Sequence, residues 1–148
     1  MQCWPSSVII STMQALMDIL PVILRHYPAV QGIYRFGSYG TEYARPDSDV
    51  DLALLLPPDQ ARQAGDLTLS QCRFDLEEAL GKEVDLLNAR RVSTVFQIQI
   101  TCGDLIYCGD RYAVDEFEML ALSYYQKLNE ERQEILADFY KTGRAYPV

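Results

Sequence analysis

The chain has 148 residues, 49% of them apolar, with 13 basic against 21 acidic side chains and a formal net charge of −8. That length and apolar share suit a single domain with one sizeable core. The acidic balance argues against direct binding to a nucleic-acid backbone, whose phosphates it would repel, and favours a basic protein partner. The four cysteines, Cys3, Cys72, Cys102 and Cys108, show no CxxC spacing, and His26 is the only histidine. A zinc centre of the usual kind is not expected, and reduced thiols in a cytoplasmic protein are the default reading.

In chain order, Val8 to Leu24 is apolar, but Asp18 and Pro21 interrupt it and no basic start precedes it, so neither a signal peptide nor a membrane span is expected. Ile9, Met13, Leu16, Met17 and Leu20 recur at helical spacing, which predicts a packing helix broken or restarted at Pro21. His26, near the helix end, reads as a capping or surface residue rather than a catalytic one. Ile33 to Phe36 has the β-branched and aromatic content of a strand, and Gly37-Ser38 with Gly40 marks a sharp turn out of it. Glu42 to Ser48 is polar and contains Pro46, a loop before Val50 to Leu56 forms a second strand that Pro57-Pro58 ends.

Asp59 is placed to cap a helix from about Gln60 to Leu80, with a break near Gly65-Asp66 and a stop at Gly81. Lys82 to Leu87 reads as a third strand, with Val84 and Leu86 on one face and Glu83, Asp85 and Leu87 on the other. A short helix, Val92 to Thr101, and a short strand, Leu105 to Cys108, follow. A long helix from about Val114 to Thr142 closes the chain, its inner face formed by Phe117, Leu120, Tyr124, Leu128, Ile135 and Phe139.

The chemistry concentrates between Gly32 and Leu56. A strand, a Gly-Ser turn, a loop, and a second strand opening with Asp49-Val50-Asp51 make the pattern of a metal-dependent nucleotide-transfer site. Backbone N–H groups at the turn, with the Ser38 hydroxyl, form a cradle for the outer phosphates of a nucleoside triphosphate. Asp49 and Asp51, two apart on a strand, share one face with Cα atoms about 6.5–7 Å apart, so their carboxylates can close on a cation. Val50 and Leu52 face the core and anchor them. With 21 acidic residues, an isolated Asp-x-Asp means little; the ordered context carries the weight.

The stretch Gly37 to Asp51 resembles the GS-x10-DxD signature of the polymerase-β-type nucleotidyltransferase superfamily. In length and simplicity the chain is similar to the minimal nucleotidyltransferase (MNT) antitoxins, whose partners are helical HEPN ribonuclease toxins. The resemblance implies an α+β fold, a small mixed β-sheet palm flanked by helices with a long C-terminal helix. It also implies that Asp85, rather than Glu83 on the same strand face, is the third carboxylate of the site. Two like charges ~4 Å apart at an effective dielectric of 20 repel by about 4 kcal/mol, so a third carboxylate makes a compensating cation necessary. An all-oxygen set favours Mg²⁺ or Mn²⁺.

On this reading Gly37 and Ser38 bind the nucleotide, and Asp49, Asp51 and Asp85 are both catalytic and metal-binding. The resemblance to the antitoxins implies AMP transfer from ATP to a tyrosine of the cognate HEPN toxin. Two other readings stay open: an antitoxin that occludes its toxin by contact alone, and a small-molecule nucleotidyltransferase of the aminoglycoside type. The sequence assigns no role at the triphosphate to Arg35, Arg45 or Lys82.

Overall fold

A computed structural model describes residues 6–36 and 50–142, with the side chains of residues 16–36 and 50–138. The elements run α1 (Ser6–His26), β1 (Gly32–Phe36), β2 (Val50–Leu55), α2 (Pro58–Ala64), α3 (Gln71–Leu80), β3 (Val84–Asn88), α4 (Thr94–Thr101), β4 (Asp104–Cys108) and α5 (Arg111–Thr142). The four strands form one mixed sheet in the order β3-β2-β1-β4. β1 pairs antiparallel with both β2 and β4, whereas β2 and β3 run parallel. Parallel neighbours need a crossover, which α2 and α3 supply. The architecture is the α+β palm expected from the sequence, long C-terminal helix included.

Strand alternation divides the core in two. Val50, Leu52 and Leu54 of β2, Val84 and Leu86 of β3 and Ile33 of β1 pack on one side against Ile19, Val22 and Ile23 of α1, Ala61 of α2 and Cys72 and Leu76 of α3. On the other side Ala53, Leu55 and Tyr34 pack against Ile100 of α4 and Val114 and Phe117 of α5. Because both sheet faces are covered, the strand termini are where polar chemistry reaches solvent.

Several boundaries differ from the sequence expectation. α1 runs unbroken through Pro21, which is exposed, as is Met17 one turn earlier. The hydrogen bond that Pro21 cannot donate falls on the exposed side of the helix, where the carbonyl left without it faces solvent. Asp59 is not a cap: Pro57 holds that position, and Asp59 lies in the first turn beside Arg62. The expected break at Gly65-Asp66 separates two helices, and Ser70 caps the second by accepting the Arg73 N–H. Gly81 ends α3 at φ 66°, the left-handed region that glycine enters without penalty. α5 starts at Arg111, where Asp110 accepts the Ala113 N–H.

The expected inner face of α5 is also only partly inner. Ala113, Val114, Phe117 and Ala121 are buried, but Tyr124 is 57% and Ile135 41% exposed. At 1.5 Å per residue the helix is about 48 Å long, and only its first three turns find sheet to cover. Among the described residues no helix is long and apolar enough to cross a membrane.

Candidate active site

Parallel pairing sets Asp51 of β2 directly across from Asp85 of β3, near the strand starts. Partners on neighbouring strands stand about 4.8 Å apart with side chains on the same face. Here that is the face carrying Ala53 and Leu87, so both carboxylates stand at the rim of an apolar floor. Asp51 is half-buried and Asp85 exposed. On its other side Asp51 pairs with Phe36, the last residue of β1, whose ring meets Phe96 of α4 edge-on at 5.7 Å. The aromatic contact closes the floor beneath the acidic rim.

Glu83, the other acidic residue read on that face, precedes β3, and its carbonyl accepts the Val50 N–H at 2.9 Å. Asp85, not Glu83, therefore sits opposite Asp51. α3 fixes the start of β3: Arg73 donates from Nε to the Val84 carbonyl at 2.7 Å, and the Val84 N–H donates to Glu77 Oε1 at 3.3 Å. Arg73 and Glu77 also form an ion pair at 2.8 Å. These contacts cap the outward backbone groups of an edge strand one residue before Asp85. Gly37, Ser38 and Asp49 lie outside the described residues, as does Arg45.

On the β1 side, Arg35 is 2% exposed and donates from its guanidinium to Asp104 Oδ2 at 2.9 Å. This ties the end of β1 to the start of β4. Tyr34 donates its hydroxyl to Glu118 at 2.8 Å, and burial, ahead of that hydrogen bond, raises its pKa far above the usual phenol range. It is a structural phenol, not a nucleophile. His26 donates from Nε2 to Asp75 Oδ2 at 2.6 Å, joining α1 to α3 behind the opposite sheet face. The surface role read for it is a contact between helices.

The donor set suits a hard divalent cation. Asp51 and Asp85 offer carboxylate oxygens, hard donors that favour Mg²⁺ or Mn²⁺ over zinc. Among the described residues, which exclude Asp49, no group of three acidic, histidine or cysteine side chains converges.

One feature escaped the sequence reading. A cleft of about 350 Å³ opens beside β3, lined by Asp66, Thr68, Leu87, Asn88, Arg91 and Val92. Its residues come from the loop between α2 and α3, the end of β3 and the turn into α4. The one local signal was the Asp66-x-Thr68 turn, in which Asp66 Oδ1 accepts both the backbone N–H and the hydroxyl of Thr68.

Comparison with known proteins agrees with this architecture. The family model for the polymerase beta nucleotidyltransferase domain matches residues 20–112, more than half of the chain. The protein adenylyltransferase MntA of Shewanella oneidensis is 32% identical over 124 residues, covering 81% of this chain and 84% of MntA. Among solved structures, a chain of a toxin–antitoxin crystal structure with AMP-PNP superimposes with a TM-score of 0.64 at 30% identity, covering 84% of this chain and 97% of its own. A chain from the complex of tri-AMPylated Shewanella oneidensis HEPN toxin with its MNT antitoxin gives a TM-score of 0.62 at 28% identity, covering 87% and 98%. The fold, the matched domain and these relatives agree, and the chain belongs to the polymerase-β-type nucleotidyltransferase family, in its minimal nucleotidyltransferase branch.

Proposed function

We propose that this nucleotidyltransferase is a cytoplasmic antitoxin that transfers AMP from ATP to a tyrosine of a cognate HEPN toxin. The observation that carries the reading is the register of Asp51 against Asp85, two carboxylates held side by side on rigid strands, a placement with no use in a pure binding module. The similarity to MntA and to the tri-AMPylated complex supplies the acceptor class.

Asp49, Asp51 and Asp85 would hold Mg²⁺ or Mn²⁺. Once bound, the cation offsets the triphosphate charge and favours ionisation of the incoming hydroxyl. Gly37 and Ser38 orient the outer phosphates through backbone N–H groups and the Ser38 hydroxyl. The tyrosine oxygen attacks the α-phosphorus, the bond to the bridging oxygen of the β-phosphate breaks, and pyrophosphate leaves on the opposite side. The Asp85 carboxylate takes the hydroxyl proton and returns it to solvent. The acidic surface meets a basic toxin without drawing RNA to the site.

Mass spectrometry of the partner, purified after co-expression, tests the proposal. Addition of one or more AMP units with the wild-type chain, lost with Asp49→Ala, is expected. Identical partner masses with both chains, while both still suppress toxicity, would overturn enzymatic neutralisation.

A further inference from the structure

The cleft beside β3 combines an apolar floor with polar and charged groups. Leu87, Asn88 and Val92 form its less exposed part, and Asp66, Thr68 and Arg91 stand exposed around it. Asn88 is 3% exposed and uses its Nδ2 to hold the carbonyls of Ala61 and Gly65, both at 2.9 Å. Its Oδ1 is buried with no hydrogen-bond partner among the described residues. The second carboxylate oxygen of Asp66 and the Arg91 guanidinium, on the same cleft, likewise make no hydrogen bond or ion pair among the described residues. An anion, a cation and a buried acceptor thus surround an apolar patch without satisfying one another.

Its position matters as much as its lining. Leu87 follows Asp85 by two on the same face of β3, about 6.5–7 Å along the strand. β3 is the edge of the sheet, and β1 lies on the far side of β2. In an in-line displacement the entering and leaving oxygens stand on opposite sides of the phosphorus. On the reading above Asp85 takes the proton of the entering hydroxyl, and Asp85 stands on the edge strand, so the nucleophile arrives on the β3 side, where the cleft is.

We infer that this cleft seats the polypeptide segment bearing the accepting hydroxyl, with Arg91 and Asp66 gripping polar groups that flank it and Leu87 and Val92 contacting its apolar side. The inference rests on the adenylyltransferase reading above and adds to it the residues that select the acceptor. Arg91 is here an acceptor-binding residue and takes no part in the bond-making step.

Steady-state transfer of labelled AMP to purified partner, with ATP and Mg²⁺, tests it. Arg91→Ala should raise KM for the partner about tenfold, the equivalent of one charge-assisted hydrogen bond, while KM for ATP and kcat at saturating partner move less than about twofold. Arg91→Lys should recover part of the loss. Thr68→Trp, a bulky substitution at an exposed position, should raise the same KM without touching Arg91, and thermal melts check that each variant folds. An unchanged partner KM in both Arg91→Ala and Thr68→Trp overturns the inference, as does a rise in KM for ATP instead, which would give the cleft to the nucleotide. If the wild-type chain transfers nothing to its partner, the adenylyltransferase reading falls and this inference with it; if it transfers normally and only the variants fail to respond, the cleft assignment alone is wrong.

Discussion

Gly103 and Arg35 meet backbone to backbone at the start of β4: a Cβ on Gly103 would overlap the Arg35 carbonyl oxygen and press on Phe36. The next residue, Asp104, holds the Arg35 guanidinium, so β1 is clamped from its backbone and its side chain within two positions. Because the colliding atom is main chain, it cannot swing aside. Gly103→Ala is expected to destabilise the protein by roughly 2–3 kcal/mol, at the upper end of overpacking costs, measured by urea denaturation. Since Phe36 pairs with Asp51, transfer activity should fall more than the unfolded fraction explains.

Asp51 and Asp85 carry like charge on adjacent strands, and without a cation their repulsion opposes folding. Asp85→Asn keeps the shape and removes the charge. In EDTA its melting temperature should exceed that of the wild type by roughly 1–2 °C, since a weak exposed charge contact shifts a chain of this length only slightly. Adding Mg²⁺ with a non-hydrolysable nucleotide should stabilise the wild type more than the variant, reversing the order, and transfer should be lost. A variant less stable than wild type in EDTA would mean that Asp85 is held by attractive contacts rather than strained against Asp51.

Much of this was legible because it is local. Alternation in Val84 to Leu87 placed Asp85 on the face opposite Leu86, and Gly65-Asp66 and Gly81 marked helix limits by backbone chemistry alone. What the sequence could not give is pairing between distant segments. That Asp85 rather than Glu83 stands across from Asp51 is a matter of parallel register, which no local pattern encodes; the family resemblance, not the alternation, singled out Asp85. The cleft assembles three separate turns, and its lining residues looked like ordinary loop polarity. Met17 and the outer part of α5 misled for one shared reason: periodicity reports which residues share a helix face, not whether anything lies against that face.

Asp75 offers a pH handle away from the reaction. Hydrogen bonds from Gln71 and then His26 hold its carboxyl below the usual carboxylate range, and Arg25 pairs with it at 3.2 Å. A folded-state pKa depressed relative to the unfolded chain gives stability that is present above the unfolded value and lost as pH falls through the folded one. Below about pH 4, the ordinary carboxylate range, the contact between α1 and α3 should therefore weaken first. Melting temperature followed from neutral pH down to about pH 3 should fall less steeply in Asp75→Asn than in the wild type. Parallel curves would show that acid acts on the fold elsewhere.

The thiols should divide by burial. Cys72 lies in the core between α1, α3 and the sheet, and burial pushes its pKa up to about 12, whereas Cys102 and Cys108 are exposed. Only the thiolate attacks an alkylating reagent, so at mildly alkaline pH the Cys72 thiol is both shielded and almost wholly protonated. Peptide mapping after iodoacetamide treatment of the native protein should find Cys102 and Cys108 modified and Cys72 intact, with Cys72 reacting only in denaturant. The rate of Cys72 labelling then reports opening of the helical layer over β2 and β3. Because a ligand that binds only the folded chain stabilises it by mass action, saturating nucleotide with Mg²⁺ should slow that labelling in the wild type if opening this layer also dismantles the Asp51–Asp85 rim, and much less in Asp85→Asn.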